Sequence, residues 1–466
     1  MDKKAGRKSV LIIILALILA VTVAFAALQA SVLLQFSGTI STSPTPSPTP
    51  TPSPTPTPSP SPWPTVTAQS GNTLDIQAAV NQIIQLGGDG TVIIPDGTFN
   101  FVNIGQAWTT VHVPAGINII SQSAPQMDSS WNNRFPSVCH TVLKLPYDVP
   151  SGSINSFDHP TWFSFDGTGD TSKPSRFSGI KLQGYRSIDE TSVYLLNGVV
   201  IYQVMDFRVD HCIFENIAAG NVVDGGNGEP GDPVSDHYCR GVFDHNKFVN
   251  TIGYCDAGMY DDLTVCYGIQ PFLFNSEYWD PNEQNIMGKY TSYSVYMEDN
   301  YFEKWRHCIS AGSGIHAVFR HNVINQDYAD GGVDVHGQGL SYIGGRVLEV
   351  YENTMINAVD DGGYDWNGVY HSDKGWDASN NVAINHRGGA GLIFNNYVDS
   401  TYAYLAVILD EEPSHVGGYT EDLYIWNNTG TTTLSVDGPT LNQDYFLYKP
   451  SWYTPYVYPH PLTSSP

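Results

Sequence analysis

Basic residues are scarce in this sequence, where 21 Lys and Arg stand against 46 Asp and Glu and give a net charge of −25. Four of the basic residues and one acidic residue fall within the first 62 positions, so the remainder of the chain carries about −28. A surface this acidic repels phosphate backbones and anionic lipid headgroups. The shortage therefore excludes nucleic acid as a partner. It also disfavours direct capture of a polyanionic polysaccharide, unless a metal ion bridges the like charges.

Several signature motifs are absent as well. No Cys-x-x-Cys occurs, which argues against a zinc site. Neither a glycine-rich phosphate loop nor a Gly-x-Ser-x-Gly elbow is present. The six cysteines permit disulfides in an oxidising compartment, but sequence alone does not fix their pairing. Because Cys255 and Cys266 flank a short loop-like segment, they are the preferred pair.

One long apolar run stands near the N-terminus, at residues 10–36, directly after the short basic segment 1–9. About 20 apolar residues suffice to cross a bilayer, and the basic cluster keeps the N-terminus in the cytoplasm. The alternative is a signal peptide cleaved after the small-x-small site Ala24-Phe25-Ala26. We therefore expect a single-pass membrane anchor, or secretion after cleavage. In both cases the rest of the chain is extracellular.

A spacer follows, which we assign to residues 37–69. Residues 41–62 are all Ser, Thr or Pro, a composition that cannot bury a core and that prefers extended polyproline II. Residues 70–466 contain no second linker and are predicted to form one domain. We expect the protein to be monomeric and to touch the membrane only through its N-terminal helix.

Six short segments repeat one pattern: an apolar residue, two mostly polar positions, an asparagine and then a bulky residue. The segments are VFDHNKFVN, YMEDNYFEK, VFRHNVINQ, EVYENTMIN, LIFNNYVDS and LYIWNNTGT. Their asparagines are Asn246, Asn300, Asn322, Asn353, Asn396 and Asn427, and Cys212 takes the same place in RVDHCIFEN. Short β-rich repeats with irregular spacing are typical of a solenoid with variable loops. The pattern predicts an all-β parallel solenoid with one inward asparagine column.

The start of this domain reads as a cap. Between Leu74 and Leu86, apolar residues recur at helical spacing, at Ile76, Ala79, Val80 and Ile83. Gly87 or Gly88 ends the helix, and residues 91–101 are predicted to form one or two short strands broken by Pro-Asp-Gly. A solenoid exposes a hydrophobic end that needs a polar-faced cap, so we expect the helix to cover that end.

The stretch GGDGTVIIPDGTF after the helix, together with the asparagine repeat, resembles the start and coils of the right-handed parallel β-helix superfamily. That superfamily includes pectate lyases, polygalacturonases and many surface proteins. The tail WYTPYVYPHPL is similar to endings of some of its members. The resemblance covers residues 70–462 and implies the fold. It implies no single reaction, because the superfamily contains lyases, hydrolases and non-catalytic adhesins.

A local repeat suggests where chemistry occurs. ADGGVDVHG (329–337) aligns without gaps on DDGGYDWNG (360–368). If these segments occupy adjacent coils, Asp330 stacks on Asp361 and Asp334 on Asp365, about 4.8 Å apart. Two charges at 5 Å repel by roughly 3 kcal/mol at an effective dielectric of 20. The column therefore predicts either bound calcium, with these four aspartates as ligands, or a pair of carboxylates that share a proton.

Other polar and aromatic residues lie close to these aspartates in the sequence. Asp360, His336 and His371 are further catalytic candidates, and the substrate-binding candidates are Tyr364, Trp366, Tyr370, Trp376, Arg346 and Lys374. Aromatic faces beside carboxylates suit sugar rings. The order His336-Gly337 before Asp360-Asp361, without Asn-Thr-Asp or Arg-Ile-Lys, departs from the polygalacturonase pattern. The alternative is that Asp-Gly-Gly is a turn, as a third copy at Asp224 suggests.

These observations predict an extracellular, membrane-tethered β-helix that acts on a polysaccharide or glycoconjugate. The activity is that of a lyase or a glycoside hydrolase with a carboxylate cluster, with calcium as the candidate cofactor. The alternative is a non-catalytic surface or adhesion protein that binds carbohydrate or serves a structural role.

We predict that residues 1–62 are dispensable for folding, because a Ser/Thr/Pro segment has nothing to bury. A chain beginning at Trp63 should be soluble and should unfold cooperatively, as measured by circular dichroism. A second deletion that also removes the helix should expose the end of the core and cause aggregation, as measured by light scattering. A soluble, folded product of the second deletion would contradict the cap assignment.

Overall fold

The structure of the chain is a computed structural model. It describes residues 63–103, 108–145, 161–167, 173–184, 197–224, 239–250, 267–273, 294–305, 307–312, 315–327, 330–335, 345, 347–358, 363–364, 370–371, 382–403, 405–411 and 419–464. The predicted membrane segment 10–36 lies outside these ranges, as do Cys255 and Cys266. Within them, none of the helices has the length and apolar character needed to cross a bilayer.

Three long parallel sheets form the body of the molecule. Sheet A contains β1 (Thr65–Thr67), β2 (Gly90–Ile94), β5 (Ile117–Ser121), β10 (Arg176–Ser178), β13 (Met205–Asp210), β16 (Arg240–Asp244), β19 (Val295–Glu298), β22 (His316–Arg320), β25 (Val347–Tyr351), β30 (Gly389–Phe394), β33 (Thr420–Trp426) and β36 (Tyr445–Phe446). Sheet B contains β3 (Gly97–Asn100), β8 (Thr141–Lys144), β11 (Ile180–Gln183), β14 (Ile213–Glu215), β17 (Lys247–Val249), β20 (Tyr301–Glu303), β23 (Val323–Asp327), β26 (Thr354–Ala358), β31 (Tyr397–Val398) and β34 (Thr429–Gly430). Sheet C contains β4 (Val111–Pro114), β9 (Thr161–Asp166), β12 (Asn197–Tyr202), β15 (Ala218–Asp224), β18 (Tyr267–Leu273), β21 (His307–Ala311), β24 (Asp330–Val335), β29 (Val382–His386), β32 (Leu405–Asp410) and β35 (Leu434–Asp437).

Successive strands visit the three sheets in turn, so that β13, β14 and β15 form one coil and β16 begins the next. Each strand pairs in parallel with the equivalent strands of the coils on either side. This order fits a right-handed parallel β-helix, as the sequence predicted. Alternate side chains of each strand point into a common core, where Phe214, Phe248 and Phe302 stack with ring centroids 4.9 and 4.7 Å apart.

The turn from sheet A to sheet B is two residues long in each coil from β13 to β34. Its first residue has a left-handed backbone, with φ between 52° and 56° at all seven positions. Asn, Asp and His are enriched in this conformation, and they occupy six of the seven positions, His211, His245, Asp299, His321, Asn395 and Asn427, while the seventh is Glu352.

The second residue of this turn forms the predicted ladder. The carboxamide oxygen of Asn322 accepts hydrogen bonds from the backbone N–H and the side-chain amide of Asn300, at 2.9 and 3.1 Å. The Asn322 amide also donates to the Met297 carbonyl at 2.9 Å. The same bonds link Asn246 to Asn300, Asn322 to Asn353 and Asn353 to Asn396. Cys212 occupies the predicted slot, with its N–H donating to Asn246.

The last member of the ladder differs from the prediction. Asn396 donates to Asn428 Oδ1 at 2.9 Å, whereas Asn427 is the exposed, left-handed residue of the turn. The prediction of Asn427 was wrong by one residue. The reason is that β33 ends at Trp426 and the turn then needs its left-handed residue before the ladder position.

The N-terminal helix α1 (Thr73–Gln85) caps the solenoid as predicted. It begins at the N-cap Asn72, whose side chain accepts from Leu74 N at 3.1 Å. Its buried face contains the four predicted apolar residues, all at most 4 % exposed, and it packs on β1, β2 and β4. However, β1 pairs with β2, so the sheet starts inside the segment 37–69 assigned to the spacer. The predicted start of the domain at residue 70 therefore lies too far along the chain, since the sheet already begins with strand β1 at Thr65.

Two small antiparallel pairs lie outside the three sheets. The first pairs β6 (Gln126–Met127) with β7 (Pro136–Val138) around a 3₁₀ helix (Ser129–Trp131). Its Trp131 and Phe135 rings pack on Tyr301 of sheet B. The second pairs β27 (Gly363–Tyr364) with β28 (Tyr370–His371).

The second pair overturns the predicted aspartate column. In sheet C the neighbour of β24 is β29, so Asp330 lies opposite Val382 and Asp334 opposite Asn385. The second Asp-Gly-Gly copy belongs to an insertion between β26 and β29 and does not form the next coil. Stacking of Asp330 on Asp361 and of Asp334 on Asp365 was therefore wrong. The ladder spacing explains the error, since 43 residues separate Asn353 from Asn396, against 31 in the preceding coil.

The C-terminal segment turns back after β36 and crosses the outer face of sheet A. Its final 3₁₀ helix (Pro461–Ser464) packs against β13 and β16, many strands away from β36. We call residues 447–464 the strap.

Four cysteines of the described residues are buried thiols, at Cys139, Cys212, Cys239 and Cys308. Burial raises the pKa of the Cys139 thiol to about 12.

We predict that Asn322→Ala lowers the free energy of unfolding by about 1–3 kcal/mol, because it leaves buried ladder partners unsatisfied. Urea denaturation measures this change. Asn81→Ala on the exposed side of α1 is the matched control, with an expected effect within about 0.5 kcal/mol. Equal effects of the two substitutions would mean that the ladder adds nothing to stability.

Candidate functional site

Connections of variable length lie on both sides of sheet C. Residues 250–266 lead into β18 and 274–294 lead out of it, while 336–346 follow β24 and 359–381 precede β29. The turn from sheet A to sheet B, by contrast, keeps its two residues in every coil from β13 to β34. Variable loops on a rigid scaffold are where binding and catalytic residues concentrate. Sheet C is therefore the sheet whose surroundings best suit a binding or catalytic site.

Three polar residues follow one another on the outer face of this sheet. Ser310, Asp334 and Asn385 lie opposite one another on β21, β24 and β29. They point outward because the residues flanking Asp334, Val333 and Val335, lie in the core. In the following coil the same position is Ile408. We call these three residues the polar row, with neighbours about 4.8 Å apart.

The centre of the row is an ion pair. Asp334 is fully buried, and Arg387 contacts it with Nη2 at 2.8 and 2.7 Å from the two carboxylate oxygens and with Nε at 3.1 Å. His307 Nε2 lies 3.7 Å from Asp334 Oδ2. The Arg387 side chain keeps 17 % of its surface exposed. The carboxylate therefore fixes the guanidinium of a side chain that remains partly exposed.

Both ends of the row carry polar atoms without a partner. Ser310 is 1 % exposed and its hydroxyl makes no hydrogen bond, nor does the buried Oδ1 of Asn385. A buried polar group without a partner costs about 1–3 kcal/mol, and such groups are few in native proteins. Two of them lie on either side of the buried Asp334–Arg387 pair.

Beneath the row, His386 lies in the core. It stands opposite Val335 and Leu409, is fully buried, and neither ring nitrogen has a hydrogen-bond partner. Burial disfavours the charged imidazolium and lowers the pKa of His386 to about 4. The ring is therefore neutral at physiological pH.

Most of the predicted site residues fall outside the described side chains. These are Asp330, Asp360, Asp361, Asp365, His336, His371, Tyr364, Trp366, Tyr370, Trp376, Arg346 and Lys374. Chain connectivity attaches them to sheet C, because 336–346 leaves β24 directly after the polar row and 359–381 enters β29. Of the predicted set, the side chain of Asp334 alone is described, and it lies in the middle of the row.

The sequence did not identify the residues that lie around Asp334. Ser310, Asn385, Arg387 and His307 come from two other coils and share no local motif with it. The one available signal was Asn385-His386-Arg387, a polar cluster after the apolar strand residues Val382 to Ile384.

The described part of the chain contains no group of three or more His, Cys, Asp or Glu side chains placed to bind a metal ion. A calcium site built on the predicted carboxylates stays a prediction. Of its four proposed ligands, Asp334 already has Arg387 as its counter-ion.

Comparison with solved structures found distant neighbours. The alginate lyase from Paenibacillus sp. str. FPU-7 matches with a TM-score of 0.40 and 12% identity, covering 82% of this chain and 99% of that one. The hyperthermoactive exopolygalacturonase from Thermotoga maritima matches with 0.41 and 12%, covering 81% and 84%. The Family 28 exopolygalacturonase from Yersinia enterocolitica matches with 0.36 and 12%, covering 82% and 68%. No family model and no curated protein matches the sequence. At these scores the neighbours establish no activity, and the fold assignment depends on the three sheets themselves.

We predict that stability falls as the pH drops from about 6.5 to about 4. An unfolded histidine binds its proton near pH 6.5, whereas folded His386 does so near 4, so the unfolded state gains protons first. The loss at pH 4 should be on the order of 3 kcal/mol from this residue. Urea titrations across this range should show a shallower loss for His386→Leu. His112→Gln, at an exposed position, should leave the slope unchanged, and an unaltered slope in His386→Leu would contradict the assignment.

Proposed function

We propose that this chain acts on an extracellular polysaccharide that lies across the outer face of sheet C, and that it cleaves that substrate. The observation that carries the proposal is the polar row, with its unpartnered Ser310 hydroxyl beside the Asp334–Arg387 pair. A sugar chain offers a hydroxyl at every unit and could satisfy such atoms in successive coils. The variable loops on both sides of sheet C would border the chain.

Within this proposal the residues of the row have separate roles. Arg387 contacts substrate, since its side chain is partly exposed and a guanidinium is suited to hydrogen bonds with sugar hydroxyls or a carboxylate. Asp334 is a positioning residue, because it is fully buried and held by that guanidinium. Ser310 and Asn385 would bind hydroxyl groups. The proton-transfer groups would come from the predicted carboxylates and histidines of residues 330–371.

The proposed location rests on the apolar segment near the N-terminus. We propose that residues 10–36 anchor the chain in the membrane and that the Ser/Thr/Pro spacer holds the β-helix outside the cell. The acidic surface would then need a cation or Arg387 to approach an acidic polysaccharide. We propose that calcium bridges the acidic surface and such a polysaccharide, and that Asp330, Asp361 and Asp365 bind the ion.

One observation favours a second candidate, a non-catalytic carbohydrate-binding or structural protein. Buried carboxylate–guanidinium pairs also occur as structural elements, and Asp334 has no exposed surface. The two candidates differ in whether any glycan is cleaved.

The test is a panel of polygalacturonate, alginate and neutral glycans incubated with the full chain in detergent, with and without calcium. Ultraviolet absorbance detects the unsaturated products of a lyase, and reducing ends detect either reaction. We expect cleavage of at least one glycan. Binding without any cleavage would support the second candidate and contradict the first.

Ser310→Ala tests the site itself. The substitution removes an unpartnered buried hydroxyl, so the folded protein should be as stable as the original or more stable by about 1 kcal/mol, while turnover of the glycan found above should fall about tenfold or more. Ser435→Ala is the matched control, since Ser435 lies in the same outward column of β35 but is exposed. Equal turnover of both variants would remove Ser310 from the site.

A further inference from the structure

The strap exposes a line of aromatic side chains on the outer face of sheet A. The exposed fractions are 52 % for Tyr448, 51 % for Trp452, 38 % for Tyr456 and 45 % for Tyr458. Large exposed apolar groups are concentrated here, although the strap is a small part of the chain. Contiguous exposure of this kind marks an interaction surface more often than scattered single residues do.

These rings are held in fixed positions by the sheet beneath them. Trp452 lies against Tyr424 at 5.7 Å, and Tyr448 lies 5.9 Å from the same ring. Tyr456 packs on Tyr296 at 5.1 Å. Trp452 and Tyr448 therefore contact Tyr424 in T-shaped arrangements while about half of each side chain stays exposed.

A buried ion network fixes the strap backbone. Arg320 is fully buried, pairs with Glu298 at 2.6 Å, and donates to the carbonyls of Tyr456 and Val457 at 3.0 and 2.9 Å. The hydroxyl of Tyr458 donates to Asp299. A platform fixed in this way loses little conformational entropy when a ligand binds, which favours affinity.

The line spans several coils. Tyr424 belongs to β33 and Tyr296 to β19, and these strands are separated by β30, β25 and β22 in sheet A. Four strand spacings of about 4.8 Å give roughly 19 Å. An extended ligand could contact both Trp452 and Tyr456, whereas a single small molecule could not.

The chemistry of the strap limits the occupant. No Asp or Glu follows Asp444, and Lys449 is the one Lys or Arg in this stretch of a strongly acidic chain. One basic residue is too few to attract an anionic membrane against that overall charge. The exposed rings are tyrosines and a tryptophan, each with a polar edge, and Val457 is the one exposed aliphatic residue of the strap. Uncharged rings with polar edges suit a hydroxyl-rich ligand that has apolar ring faces.

We propose that the strap is a binding surface for a neutral polysaccharide chain, whose sugar rings stack on Trp452, Tyr448, Tyr456 and Tyr458. The surface is on sheet A, so it is separate from the polar row of sheet C and does not depend on the reaction proposed there. It would hold the protein on a glycan matrix.

The test is co-sedimentation of the full chain, kept in detergent, with amorphous cellulose, insoluble starch and cross-linked alginate. We expect capture by at least one of the two neutral glycans and about tenfold weaker capture of Trp452→Ala and Tyr448→Ala. Trp452→Tyr keeps a ring at this position and should retain most of the binding. The melting temperature of each variant separates lost binding from lost folding, and Tyr448→Ala provides a second reading if Trp452→Ala is unstable.

Tyr419→Ala is the matched control, since it removes a tyrosine that is 59 % exposed but lies outside the strap, and it should bind as the unaltered chain does. Capture is measured without turnover, so failure of the reaction proposed for sheet C and failure of this surface are distinguishable. Capture by alginate alone, or equal capture of the Trp452, Tyr448 and unaltered proteins, would overturn the proposal.

Discussion

The asparagine ladder is the constraint on which the coils depend. The carboxamide of Asn322, for example, accepts two hydrogen bonds from Asn300 of the preceding coil and donates one to the backbone carbonyl of Met297. A buried amide is costly unless all its bonds form, so the turn from sheet A to sheet B has to keep one geometry. That geometry requires a left-handed residue first and the asparagine second, and it fixes how sheets A and B meet.

Because that corner has a fixed length from β13 to β34, sequence variation in these coils is concentrated at the other two corners. Both flank sheet C, and insertions there leave the ladder intact. The outer face of sheet C is therefore the part of the fold on which side chains and loops can change without loss of the core. The polar row lies on that face, and its unpartnered atoms are tolerated because the surrounding coils are stabilised independently by the ladder and by the stacked phenylalanines.

The outer face of sheet A differs from that of sheet C in its charged residues. It carries acidic residues in successive coils, Asp210, Asp244 and Glu298, which would repel one another at the spacing of adjacent strands. Arginines from neighbouring strands offset this repulsion, with Arg176 on Asp210 and Arg208 on Asp244. At Glu298 the counter-ion is Arg320, and the strap covers both. The arrangement positions the aromatic line, since the buried guanidinium needs the strap carbonyls to satisfy its remaining donors.

The sequence by itself determined the elements that follow from local periodicity: the cap helix with its apolar residues Ile76, Ala79, Val80 and Ile83, the strands around Pro-Asp-Gly, and five of the six ladder asparagines. These predictions succeed because helix and turn preferences depend on a few neighbouring residues. Tertiary structure alone decided which segments become neighbours. A repeated Asp-Gly-Gly motif has the same local preference in a coil as in an insertion, so only strand pairing revealed that Asp334 faces Asn385 and not Asp365. The polar row likewise joins Ser310, Asp334 and Asn385 across 75 residues of chain, and no local signal connects them. Parallel pairing brings together residues from separate coils, and the length of each intervening loop, which sequence periodicity does not constrain, sets the register.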